Sequence, residues 1–355
     1  MTELTSIERV RRLLAGQEVD HVPVFDLLRN DSAIEYYSCE RITFENAQQL
    51  VYRAVSRALD STRPSIKAPQ PDSETILPDG RITKQHRWTS WGEYMRFADE
   101  DEYSRHLFET YLYDNPQKTK KRAAESIQRH EVLMDAVGDL FLFWSMGGPG
   151  LQFLFGVVGL EAFSYYMYDS LDAISHAMEV NTVNSINLIK ELHVQTKGSS
   201  KAPEVYFMSE DMAFKSGCLF SPDFMKKEFY PRLARITDAI HETGKKLCFH
   251  SDGNLMGVLD DLVNCGIDIL NPIEVNAGMD IAEIHQRFPA LYMTGGVDVS
   301  QLLPLGSPEE VEEAAFKAIR DSGGQIMIGS STEMNHEVPL ENVLALYNAP
   351  KKYKG

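Results

Sequence analysis

One pattern recurs along the chain and restricts what it can fold into. A short apolar run rich in β-branched and aromatic residues is followed by a polar loop and then by a stretch of helical periodicity. Such runs occupy 21–25 (HVPVF), 65–68, 141–144 (FLFW), 205–208 (VYFM), 246–250 (KLCFH), 267–270 (IDIL), 291–294 (LYMT) and 325–328 (QIMI). Amphipathic stretches at 222–243, 255–265, 281–288 and 308–322 lie between the later runs. Asp280 and Ser307 precede two of these stretches as N-cap residues, and Pro308 sits where a first helical residue needs no N–H. Strands alternating with helices predict a parallel sheet. Eight such runs predict an α/β fold of the (β/α)₈ TIM-like barrel type, one domain over 1–355 with an N-terminal helical and loop elaboration. The stretch 69–135, with its charged and turn-rich segments, reads as an irregular insertion or short hairpin region. A doubly wound sheet is the competing architecture, but the first run lacks the glycine-rich phosphate turn of that fold.

Composition narrows the class of partner. Acidic residues number 52 against 35 basic, a formal charge of -17, which is the wrong sign for a nucleic-acid binder. The four cysteines, Cys39, Cys218, Cys248 and Cys265, are far apart and form no CxxC, so they read as reduced thiols. The N-terminus is charged from its third residue, and no apolar run reaches the length of a membrane span. A cytoplasmic enzyme is the expectation.

In a (β/α)₈ barrel the chemistry collects where strands end. Asp26 follows the first run. SMGGPG follows FLFW, Ser209-Glu210-Asp211 follow VYFM, and Ser251-Asp252-Gly253-Asn254 follow His250. The last run is followed by GSSTEMNH, which carries Glu333. A mouth with several acids and one histidine suits a divalent ion, and zinc accepts imidazole nitrogen and carboxylate oxygen. His250 and Asp252, two apart, point to one face of an extended segment. The commoner use of such a histidine is a hydrogen bond to a nearby carboxylate with no ion bound, and an isolated acid at a strand end often caps the next helix. Ser145 is not flanked as GxSxG requires, and neither Cys218 nor Cys248 has an adjacent base, so no nucleophile is evident.

Several segments carry a family resemblance. TSIERVRRLLAGQEVDHVPVF at the start, SEDMAFKSGCLFSPDFMKKEFYPRL in the middle, HSDGNL, and VPLENVLAL near the end resemble, in order and spacing, the uroporphyrinogen decarboxylase superfamily. Its decarboxylases carry an arginine-rich segment after the first strand, whereas this chain has DLLRNDSAIEYYSCERIT with only Arg29 nearby. Its methylcobalamin:thiol methyltransferases hold zinc with His-x-Cys and a later Cys. Here those places hold Asp252 and the cysteine-free GSSTEMNH. RNDSAIEYYS resembles a third branch, the methyltransferase component of O-demethylase systems.

That resemblance implies transfer of a methyl group from an aromatic methyl ether of the guaiacol, veratrole or vanillate type to the Co(I) corrinoid of a partner protein. Zinc would polarise the ether oxygen. On this reading the zinc ligands are His250, Asp252 and Glu333, with Glu210 or Asp211 in reserve. Asp211, Asp26 or a zinc-bound water supplies the proton. Phe25, Trp144, Met146, Met208, Phe220 and Asn254 line the pocket. The superfamily often forms dimers, so a homodimer is expected as well. The thiol methyltransferase, the porphyrinogen lyase and a non-catalytic corrinoid-binding role stay as alternatives.

Overall fold

A computed structural model describes residues 3–354. Eight parallel strands close into a barrel. Six of them form one sheet in spatial order: 141–146, Val205–Ser209, Lys246–His250, Ile269–Ile273, Tyr292–Val297 and Ile326–Ser330. The third barrel strand consists of Phe141–Leu142 and Trp144–Met146, and its first part pairs with Ser61–Thr62, the second strand. The first strand amounts to Val24 and Phe25, bridged to Ile328 on one side and Ser61 on the other. This seam closes the ring and confirms the (β/α)₈ expectation.

The seam is short, and two aspartates reinforce it. At its lower end the Asp60 carboxylate accepts from the Val24 amide (2.8 Å). At its upper end the Asp26 carboxylate accepts from the Ser330 amide (2.9 Å), the Ser330 hydroxyl (2.8 Å) and the Met334 amide (3.1 Å). Gly329 allows the close approach, because a Cβ there would sit 1.8 Å from the Phe25 carbonyl oxygen.

Side chains alternate across each strand, which separates two apolar clusters. Phe25, Phe141, Phe143, Val205, Phe207, Cys248, Ile269 and Met327 point inward. Val10 and Leu13 of the helix Ser6–Leu14 join them and plug the barrel's lower end. Leu142, Trp144, Met146, Tyr206, Met208, Leu247 and Phe249 point outward to the helical layer. The plug helix is fixed by Arg9, which is 4% exposed and pairs with Asp20 (2.7 Å) and Asp60 (2.5 Å).

Several sequence expectations need correction. The second strand is Ser61–Thr62, upstream of 65–68; it is polar and so lacks the apolar signature of its neighbours. The stretch 69–135 is not irregular throughout. It holds an antiparallel meander (Ser73–Ile76, Ile82–Gln85, Ser90–Gly92) and the helices Glu100–Thr110 and Pro116–Val137. Asn115 caps the second helix by accepting from the Lys118 amide, and Pro116 opens it. The stretch 222–243 is helical but contains a π turn at Met225–Phe229 just before Pro231. Proline has no N–H to give to the preceding turn, and the wider turn absorbs that loss.

Replacing Arg9 by Ala leaves Asp20 and Asp60 buried without their cation. A loss of about 3–5 kcal/mol is expected, measured as a lower urea midpoint; an unchanged midpoint would refute the role given to the plug.

Candidate functional site

Three side chains converge where the fourth and fifth strands end. Ligand atoms of Asp211, His250 and Asp252 all lie within 4.8 Å of one another. His250 Nε2 stands 3.4 Å from Asp211 Oδ1 and 4.0 Å from Asp252 Oδ1. His250 is the last residue of its strand and points inward with Cys248, its ring centroid 5.5 Å from that of Phe207.

The orientation of the imidazole is set from outside the cluster. His250 Nδ1 lies 2.5 Å from Asn271 Oδ1 on the adjoining sixth strand. Asn271 Nδ2 in turn donates to Thr294 Oγ1 on the seventh. An amide oxygen can only accept, so Nδ1 carries the proton and Nε2 presents its lone pair to the two carboxylates. Burial holds the His250 pKa below its ordinary value, which favours that neutral form.

The two acids are also held. Asp211 accepts from Gln152 Nε2 and from the Asp252 amide (3.2 Å). Gln152 belongs to the helix Leu151–Val158, and its Oε1 accepts from Ser209 Oγ (3.1 Å). Asp252 accepts from Thr332 Oγ1 (3.4 Å). The turn after Asp252 depends on Gly253, whose φ is +93° and whose missing Cβ would lie 2.5 Å from the Ala213 carbonyl carbon. Its amide donates to Glu274 Oε2 (2.5 Å). Burial, followed by the negative charge of Asp211, pushes the Asp252 carboxyl up to about 6. Two crowded carboxylates and an aimed imidazole nitrogen suit a divalent cation, and one nitrogen with two oxygens is a donor set zinc accepts while keeping a position open.

The other sequence candidates are engaged by other partners or packed outside the cluster. Glu210 points away from His250: its oxygens accept from the amides of Gly150 (2.6 Å) and Gln152 (3.0 Å) at a helix start. Burial raises its pKa to about 7 despite those amides. Glu333 is committed to Arg29 at 2.9 Å. Asp26 is buried in the seam and serves closure rather than the mouth. Trp144, Met146 and Met208 face outward by strand parity, and Trp144 packs on His130 with centroids 4.1 Å apart. Phe220 sits among Phe155, Phe163 and Phe224. Asn254 Oδ1 accepts from the Met256 amide within its own loop. Phe25 is inside the barrel but packs on Phe143, beneath the mouth.

Sequence reasoning missed Asn271, Thr294, Gln152 and Arg63. Thr294 ends one apolar run and Asn271 directly follows another, and a polar residue that continues the inward parity of a strand is the signal that could have found them.

The comparisons with known proteins agree with this architecture. The profile of the family described as uroporphyrinogen decarboxylase (URO-D) matches residues 114–353, and the chain belongs to that family. Among solved structures, the chain is similar to a methyltransferase from Methanosarcina mazei, with a TM-score of 0.69 and 17% identity over 99% of each chain. A looser likeness, TM-score 0.48 and 11% identity over 94% of this chain and 97% of the other, is to a B12-independent methionine synthase from Shewanella sp. W3-18-1 in complex with selenomethionine. No curated protein matches the sequence significantly. Among the described residues no helix is long and apolar enough to cross a membrane.

Replacing Asn271 by Ala frees the imidazole to rotate and to change tautomer. Zinc affinity is expected to fall about 10–100-fold, read by competition with a chromogenic chelator. Wild-type affinity in a variant with unchanged melting temperature would show that Asn271 does not set the ring.

Proposed function

We propose that this chain is a methyltransferase that takes the methyl group of an aromatic methyl ether and delivers it to the corrinoid of a separate protein. The observation that carries the reading is the cluster of His250, Asp211 and Asp252, aimed by Asn271 and set in the mouth of the barrel. A zinc ion held by these three side chains would supply Lewis acidity toward the ether oxygen, whose departure as an unassisted phenolate is slow.

The protein's own groups bind and orient. Phe207, buried beneath His250 and Arg63, makes the floor under the cluster aromatic. As ligands of such an ion Asp211 and Asp252 would be deprotonated, and Asp26, sealed in the seam, cannot reach the departing oxygen, so its proton would come from solvent at the mouth. The cluster holds no thiolate, which favours an oxygen substrate over a thiol. The decarboxylase reading is weakened because Arg29, in the segment where the decarboxylases carry several arginines, is engaged by Glu333. No protein nucleophile is needed when the acceptor arrives on a partner. Large apolar side chains stand exposed on the helices that follow the third strand, Phe153 at 67% and Tyr168 at 87%, which suits docking of a second protein beside the mouth.

Replacing His250 by Ala should remove bound zinc and, with it, methyl transfer from guaiacol or veratrole to a reduced corrinoid protein. Metal analysis and the methyl-transfer assay are run on the same preparation. Full transfer with full zinc in the variant would sink the assignment.

A further inference from the structure

Arg63 is the residue that the proposed chemistry leaves unused. It follows the polar second strand and reaches into the barrel mouth, its guanidinium carbon 5.3 Å from the centroid of Phe207. The Phe207 ring lies 5.5 Å from that of His250, so Arg63 stands one aromatic ring away from the acid–histidine cluster. Among the described residues no carboxylate comes within ion-pair distance of it. The nearby acids are already occupied: Glu333 by Arg29, Asp211 by Gln152, and Asp252 by Thr332. In a chain with a formal charge of -17, a half-buried arginine without a protein counter-ion is conspicuous.

The charges of the mouth are also divided by position. Arg29 and Arg63 follow the first and second strands, while Asp211, Asp252 and Glu274 follow the fourth, fifth and sixth. Burial, followed by the like charge of Arg29, acts against the Arg63 cation; Glu333, Asp252 and Asp211 offset this only in part and from beyond pairing distance, so an incoming anion would relieve the remainder. The Phe207 ring packs against the guanidinium, and among the described residues no protein group accepts from its N–H groups, which leaves them available to a planar carboxylate that can take two parallel hydrogen bonds.

We propose that Arg63 is the carboxylate-binding and specificity-determining residue of this site, so that the methyl donor is an aromatic ether carrying a carboxylate rather than a neutral one. The inference rests on the methyl-ether reading above. Calorimetry of the zinc-loaded full-length protein with 4-methoxybenzoate and with methoxybenzene tests it without any variant. The acid is expected to bind at least tenfold more tightly, about 1.4 kcal/mol, with the preference shrinking as salt rises. Arg63→Gln should abolish the preference while zinc content and melting temperature hold. Arg63→Lys, which keeps the charge but loses the fork, should retain part of it. Equal binding of the two ethers by the wild type, or an undiminished preference in Arg63→Gln, overturns the proposal. The two readings fail separately. A carboxylate preference lost in Arg63→Gln, with no methyl transferred from any methoxyarene, supports the Arg63 subsite and removes the methyltransferase reading. Transfer from veratrole and 4-methoxybenzoate with equal kcat/KM overturns the subsite and leaves the methyltransferase in place.

Discussion

Everything above the barrel floor depends on a seam of three backbone bridges. Val24, Phe25 and, after a break, Leu28 are what the first segment contributes, and a ring of eight strands has no free edge only if they stay bridged to Ile328, Ser61 and Met334. Backbone pairing over so short a stretch is weak, and carboxylates make up the difference. Asp60 ties the lower end to the plug helix through Arg9, and Asp26 ties the upper end to Ser330 and Met334. Gly329 contributes by having no side chain. An acid at the end of a barrel strand is thus not automatically chemical; at Asp26 it is a fastener.

Once the ring closes, parity decides which side chains meet. The inward set of the fourth and fifth strands is Val205, Phe207, Cys248 and His250, and the outward set is Tyr206, Met208, Leu247 and Phe249. Shifting the third strand by one residue would have brought Trp144 and Met146 inside. In the observed phase they fill the layer between strand and helix, where Trp144 meets His130. The interior is left with phenylalanines low down and polar residues above, so the floor of the mouth is aromatic and its rim is charged.

Much of this was legible in the sequence. The alternation of runs and helical stretches gave the barrel, and Asp280 and Ser307 marked two helix starts, Ser307 with a full capping box to Glu310. His250, Asp252 and Asp211 were readable as strand-end residues because their strands are strongly apolar. The second strand and its Arg63 were not, because Ser61–Thr62 is polar and short. The pairing of Glu333 with Arg29 was not readable, because the two lie 304 positions apart and no local pattern encodes that contact. Asn271 and Thr294 were passed over because their roles exist only when three neighbouring strands lie in register.

That line from His250 to Asn271 to Thr294 has a thermodynamic consequence. A freely rotating imidazole loses side-chain entropy when it captures an ion, and the loss is subtracted from affinity. Here the ring is already immobilised by groups on the two strands beside it, so the ordering cost falls on folding and not on capture. The cluster then resembles a socket more than a grasping hand: an ion proposed for it would meet a nitrogen already in position, and the adjustment on capture would fall to the carboxylates at the rim.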